Sequence, residues 1–244
     1  MIQHRTLFLS DLHLGSTSAK ADRLLTFLHK NDAETYYLVG DIVDLVRLRR
    51  RCFWPDAHAA VVRQLRARAR AGRRIVLIGG NHDPDFRMRH GARPWHGNVE
   101  LGAEAVHQLA TGERLLVVHG DRHERDRREV RTTIRLGVTL HRVGVGMSDT
   151  LSSLRRTLGL GYWSLSAWVK DRVLFSVPVA RAFRANLVAD ARARGLDGVV
   201  AGHIHHACIQ TCDGLIYANA GDWVESCTAL CESADGRLRL IRAT

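Results

Sequence analysis

The chain has 244 residues, 45% of them hydrophobic and 6% aromatic, which suits one sizeable globular domain and excludes disordered, fibrous and collagen-like classes. Lys and Arg outnumber Asp and Glu by 36 to 25, a formal net charge of +11 that points to polyanionic partners: nucleic acid, anionic head groups or phosphorylated small molecules. The first apolar run ends at Asp11, too short for a signal peptide, and no stretch approaches the ~18 apolar residues of a membrane span, so a cytoplasmic protein is expected that touches a bilayer only peripherally.

Short apolar runs alternate with helical stretches, the pattern of sheets covered by helices. Thr6–Leu9 leads into Ser10-Asp11-Leu12-His13, and a helix is expected over Asp22–His29. Tyr36–Val39 leads into Gly40-Asp41-Ile42-Val43-Asp44, and a second helix over Ala57–Ala71 closes on Gly72 as a carboxyl cap. Ile75–Ile78 leads into Gly79-Gly80-Asn81-His82-Asp83, and Leu115–Val118 into His119-Gly120-Asp121. A basic, predominantly helical insertion is expected from about 122 to 194, with Trp163, Trp168, Leu174 and Phe175 flanked by Arg155, Arg156, Lys170 and Arg172. Val199–Ala201 then leads into Gly202-His203-Ile204-His205-His206. A meander of strands should follow over Ala207–Thr211, Leu215–Asn219, Val224–Cys231 and Arg237–Ile241, turning at Asp213-Gly214 and Asp235-Gly236.

Five cysteines are an odd number for a disulfide framework. Cys208 with Cys212 and Cys227 with Cys231 have the look of metal pairs, but four residues along a strand separate side chains by roughly 13 Å, too far for one ion. They are read as buried, reduced thiols. His4, His29, His58, His90, His96, His107, His123 and His141 are read as surface or core histidines, since nothing in their neighbourhoods suggests ligation.

Five strand ends carrying Asp, Asn and His should converge, because sites in α/β folds form in the loops at the carboxyl ends of strands. The glycines before Asp41, Asn81 and His203 fit turns that bring backbone close to a metal. Asp11, His13, Asp41, Asn81, His119, His203 and His205 together offer the carboxylate, amide and imidazole donors that two divalent ions sharing one carboxylate need, and Asp41 is the candidate bridge. Such a pair can hold a bridging hydroxide, orient a phosphate and neutralise transition-state charge. His82 is placed to protonate a leaving oxygen, with Asp44 to orient its ring. Mixed oxygen and nitrogen donors suit manganese, iron, zinc or cobalt alike, and manganese is the metal expected.

The ordered set Asp-x-His, Gly-Asp-x-x-Asp, Gly-Asn-His-Asp, a lone His and Gly-His-x-His resembles the calcineurin-like metallophosphoesterases. The resemblance implies a four-layer α/β sandwich of two mixed sheets flanked by helices, one metal held by Asp11, His13, Asp41 and His205, and a second held by Asp41, Asn81, His119 and His203. It also implies His82 as the proton donor and Asp44 as its partner. Chain length, the insertion after His119 and the closing Asn219-Ala220-Gly221-Asp222-Trp223 are similar to the UDP-2,3-diacylglucosamine pyrophosphatase branch of lipid A biosynthesis, except that this branch carries Arg where His82 stands. The expected substrate is therefore a UDP-sugar-lipid or related diphosphate, cleaved by metal-bound hydroxide with the insertion as a lid. The alternative is a phosphodiesterase or nuclease acting on nucleic acid or cyclic nucleotides, which would need a continuous basic track and a steep salt dependence.

Overall fold

The computed structural model describes residues 1–88, 98–123 and 178–243. The chain divides into two compact units, one built from Met1–Asp121 with Leu187–Ala243 and the other containing Arg122–Asn186. Most of the expected insertion, with Trp163, Trp168, Leu174, Phe175 and its arginines, lies outside the described residues, as do His90, His96 and His141.

The elements of the first unit follow the expected alternation. β1 (Ile2–Leu9), α1 (Ala21–Lys30), β2 (Asn31–Val39), the short α2 (Leu45–Leu48), α3 (Asp56–Arg70), β3 (Arg74–Ile78), the one-turn α4 (Asp85–Met88) and β4 (Val99–Gly102) come first. Then come β5 (Glu104–Gln108), β6 (Arg114–Val118), α5 (Pro178–Ala193, which crosses from the second unit), β7 (Gly198–Ala201), β8 (Cys208–Cys212), β9 (Leu215–Asn219), β10 (Thr228–Glu232) and β11 (Leu238–Arg242). Six strands form one mixed sheet in the order β11-β10-β1-β2-β3-β4, and five form a second, β5-β6-β7-β9-β8. The fold is the expected α/β architecture of two mixed sheets flanked by helices.

Strand alternation divides the core in two. Leu7, Leu9, Tyr36, Leu38, Ile75 and Leu77 face one way and join Leu24, Phe27 and Leu28 of α1 and Val61 and Leu65 of α3 in one buried cluster. The residues between them, Phe8, Tyr37, Val39, Val76 and Ile78, face the other way and meet Leu115, Val117, Val200 and Ala218 of the second sheet. A period of two with both faces buried is why these strands read as continuous apolar runs. β1, β2 and β3 run parallel, so the loops after Leu9, Val39 and Ile78 emerge at one edge.

Two expectations need correction. The carboxyl-terminal strands are not one meander: the β8–β9 hairpin belongs to the second sheet and the β10–β11 hairpin to the first. The stretch from Val224 is not strand, because the Asp222 carboxylate accepts hydrogen bonds from the backbone N–H groups of Val224, Glu225 and Ser226 and turns the chain. β10 starts only at Thr228, so Cys227 precedes it with a left-handed φ of 49°. Gly72 does follow α3 with φ of 89°, the conformation of a carboxyl cap.

Candidate metal centre

The loops at the carboxyl ends of β1, β2, β3, β6 and β7 bring the expected residues together. Three groups of potential ligand atoms lie within 4.8 Å of one another: Asp11 with His13 and His205; His13 with Asp41 and His82; and Asp11 with Asp41 and His119. Asp41 links the last two, its Oδ2 standing 3.4 Å from His119 Nε2 and 3.9 Å from His13 Nε2. Asn81 joins through Oδ1, 3.3 Å from His119 Nε2. His203 stands one ring further out, its centroid 5.1 Å from that of His119. His82 Nδ1 donates to Asp44 Oδ1 at 3.0 Å, and its ring edge meets the face of His13.

The backbone at these positions is strained. Of seven described non-glycine residues with positive φ, five are candidate ligands: Asp11, His13, Asp41, His203 and His205. L-residues enter this region only where their surroundings hold them there, and such strain gathers at functional sites. Asp83, which the sequence reading passed over, supplies much of the hold. Its buried carboxylate accepts from the N–H groups of Asp41 (3.1 Å), Ile42 (2.7 Å), Val43 (3.2 Å) and Gly80 (2.6 Å), tying the β2 loop to the β3 loop. Its signal was in view as the last residue of Gly-Asn-His-Asp. Ser10 and Asn219 act similarly: Ser10 Oγ lies 2.6 Å from Val39 O and 2.5 Å from Asp11 Oδ2, and the Asn219 amide donates to Gly202 O at 2.7 Å.

The glycines before Asp41, Asn81 and His203 leave room within the cluster. A Cβ on Gly40 would collide with the His119 ring, one on Gly80 with the Asp41 carboxylate and backbone, and one on Gly202 with Ser10 and Asp11.

Electrostatics mark the same cluster. Burial opposes ionisation of Asp11, yet His205, His119 and His13 hold its carboxyl below the usual carboxylate range. Asp41 is lowered against burial by His119, and Asp44 against burial by His13, His82 and the Arg47 N–H. Burial and the nearby Asp41 charge push Asp83 up, against the pull of its backbone donors. His119 loses basicity to burial but gains more from Asp41 and Asp11, which raise it to about 9.

Two observations show that the residues fit a metal. Asp11 Oδ2 accepts from the His203 N–H at 2.9 Å, whereas the buried Oδ1 faces only imidazole, His205 Nε2 at 3.1 Å and His13 Nε2 at 3.8 Å, and a buried carboxylate oxygen among imidazole nitrogens is a donor set that a divalent cation takes. His119 Nδ1 donates to Val39 O at 3.0 Å, which leaves Nε2 as the nitrogen that faces Asp41 and Asn81. A histidine ligand is held in its tautomer in this way.

Residues 4–207 match the calcineurin-like phosphoesterase family. The chain belongs to that family. The calcineurin-like family is one of metal-dependent phosphohydrolases and implies a dinuclear divalent centre, for which this cluster supplies candidate ligands. No curated protein sequence matches the chain. Among solved structures, the hypothetical protein PH1004 from Pyrococcus horikoshii OT3 has a similar fold, with a TM-score of 0.51 at 8% identity over 99% of this chain and 88% of that one. Yfce, a phosphoesterase from E. coli, gives 0.46 at 14% identity over 98% and 99% of the two chains. Vps29 from Entamoeba histolytica, complexed with Zn+2, gives 0.43 at 13% over 97% of each. No described helix is long and apolar enough to cross a membrane.

Among the residues read as non-ligating, His58 accepts from the Gly15 N–H at 2.9 Å, His4 pairs with Asn31 and His107 with Glu232. All five cysteines are free.

Proposed function

We propose that this phosphohydrolase cleaves a diphosphate, a UDP-sugar-lipid of the UDP-2,3-diacylglucosamine kind or a relative of it, at a centre in which Asp41 bridges two ions. The observation that carries the bridging assignment is that Asp41 Oδ2 lies 3.9 Å from His13 Nε2 and 3.4 Å from His119 Nε2, between a ligand assigned to each ion. On this reading Asp11, His13, Asp41 and His205 hold one ion, and Asp41, Asn81, His119 and His203 the other, with manganese the expected metal. Bound there, the pair would supply charge neutralisation for a phosphoryl group and an acidified water.

The chain's own residues supply the rest. Asp44 accepts the His82 Nδ1 proton, which fixes the ring and leaves Nε2, 4.0 Å from Asp41 Oδ2, to hand a proton to the leaving oxygen. His82 is 32% exposed on its side chain, so it reaches solvent and substrate as the fully buried Asp11, Asp41 and His119 do not. The same reading gives the insertion the role of a lid for acyl chains and sets the chain to work at an anionic membrane face. Its supports are the resemblance of length, insertion and Asn219–Trp223 to that branch.

A turnover screen of the manganese-loaded protein tests it, using UDP-diacylglucosamine, bis(p-nitrophenyl) phosphate, a cyclic nucleotide and single-stranded DNA. Release of UMP from the acylated substrate is the expected result. Cleavage of DNA or cyclic nucleotide with none of the diphosphate would move the assignment to the nuclease or phosphodiesterase reading, with which the charge of +11 is equally compatible.

A further inference from the structure

The metal cluster accounts for the residues at the strand ends but not for the arginines that follow Asp44. Arg47-Leu48-Arg49-Arg50-Arg51 carries four arginines in five residues, all exposed. The segment is clamped to the site. Asp44 N donates to Leu14 O at 2.8 Å, Leu45 N to His82 O at 3.2 Å, and Arg47 N to Asp44 Oδ1 at 3.0 Å. Leu48 packs so closely on Gly15 that a Cβ there would lie 2.8 Å from its Cγ. The backbone of α2 is therefore fixed by the loop that carries Asp11 and His13 and by the loop that carries Asn81 and His82.

Arg47 is the inner member of the strip. Its Nε lies 3.2 Å from Asp44 Oδ2, the oxygen that stands 3.8 Å from His13 Nδ1, while its side chain stays 59% exposed. Among the described residues nothing bonds its two terminal nitrogens. A guanidinium held at Nε by a carboxylate keeps its orientation and offers the remaining N–H groups as a fork, the geometry that matches phosphate oxygens. Arg49 is engaged with Asp85 at 3.1 Å, whereas no described carboxylate pairs with Arg50 or Arg51. A surface ion pair between residues three apart on one short helix would not by itself call for a run of further arginines beside a phosphohydrolase site.

We infer that Arg47 recognises a second, non-reacting phosphate of a substrate whose reacting phosphate sits at the metal cluster, with Arg50 and Arg51 extending the anion-binding surface outward. The inference rests on the phosphohydrolase reading of the cluster and narrows its substrates to those carrying two or more linked phosphates, as against simple monoesters and diesters.

Competition binding to the metal-loaded chain tests it, with AMP and α,β-methylene-ADP as probes in buffered excess metal. The two share a nucleoside and differ by one phosphate, and the second cannot be cleaved between its phosphorus atoms. The wild-type chain should bind the diphosphonate about tenfold or more tightly than AMP, the size of one good charged hydrogen-bonding contact. Arg47→Ala should remove most of that preference and shift AMP about twofold at most, and Arg47→Lys should keep only part of it, a point charge in place of a fork. Arg50→Ala with Arg51→Ala should cost less, and its effect should fade as salt rises. Melting curves establish that each variant is folded, and Arg47→Lys carries the test if the alanine variant is not. A preference that survives both Arg47 substitutions overturns the inference, and so does a wild-type chain that binds both probes equally. Capture by anionic vesicles or single-stranded DNA that depends on these arginines without any diphosphate preference also overturns it. Binding of neither probe by a chain that holds its metals overturns the phosphohydrolase reading itself, and the inference with it.

Discussion

Asp11 and Glu232 are both fully buried carboxylates, and their surroundings are opposites. Glu232, on β10, has every oxygen answered: Oε1 accepts from Arg5 at 2.5 Å and from the Ala110 N–H at 2.8 Å, and Oε2 from Thr6 and His107, each at 2.8 Å. These partners come from β1, β5 and the turn after β5, so the carboxylate pins the two sheets together. Asp11 has one oxygen held by Ser10 and the His203 N–H and one that faces only imidazole nitrogens, on left-handed backbone with histidines on three sides. A buried charge with complete partners serves stability; one turned to imidazoles at a strained turn serves a ligand that the polypeptide does not itself supply.

The largest effect should come from the residue the two ligand groups share. Asp41→Ala should remove at least one ion per chain and lower turnover by about 10³-fold or more, because water cannot hold two cations together in place of a carboxylate. Metal analysis beside kinetics checks it. A variant that kept both ions and a near-normal rate would sink the bridging assignment.

The contrast itself is tested by substituting each carboxylate with its amide. Glu232→Gln turns an amide N–H₂ toward groups that are themselves donors, and breaking a buried charged pair costs about 3–5 kcal/mol, read as a lower denaturation midpoint. Asp11→Asn can keep its acceptor on Ser10 and His203, so its stability should change by less than about 1 kcal/mol while metal affinity falls. The pH dependence sharpens the difference. Burial would raise Glu232, but His107, Thr6 and the Ala110 N–H hold it at about 2 against an ordinary 4.5. A group depressed on folding stabilises above its unfolded value and loses that contribution as pH falls, so stability should drop between about pH 4.5 and about pH 2. Glu232→Gln should flatten that slope. An unchanged slope would mean that other carboxylates govern acid unfolding.

Next in size is His82→Ala, which should keep its metals and lose about 10²-fold in rate, less for a substrate with a good leaving group. Equal losses on p-nitrophenyl and alkyl substrates would make His82 a support of the cluster, a role that its place beside His13 and Asp41 also permits.

The site was legible where chemistry and hydrophobic period coincide. Leu7–Leu9, Tyr36–Val39 and Ile75–Ile78 announce strands buried on both faces, and Asp, Asn and His at their ends announce the cluster. β4 and β5 gave no such signal. Val99-Glu-Leu-Gly and Glu104-Ala-Val-His-Gln interleave polar residues, and each lies at the edge of its sheet, where one side of the strand needs no partner. The positive φ of Asp11, His13, Asp41, His203 and His205 could not be read either. Local preference argues against it, and it is imposed by distant groups such as Asp83, which fixes Asp41–Val43 from forty residues away.

The smallest effect expected is at the cysteines, and it separates packing from ligation. Cys227 and Cys231 are buried, and burial raises both thiols, Cys227 to about 11, so each stays protonated at neutral pH. A metal takes the thiolate, and an inert, protonated thiol in an apolar cluster behaves as a small hydrophobe. Replacing all five by Ala or Ser should therefore leave metal content unchanged and cost stability through lost packing, about 1 kcal/mol at each buried position. Before that substitution a thiol reagent at neutral pH should modify Cys52, which is exposed, well ahead of Cys227 and Cys231. Cys208 and Cys212, expected to be buried, are only half-buried on the edge strand β8, and loss of a tightly held zinc ion from the cysteine-free chain would give them, or the core residues Cys227 and Cys231, a ligand role.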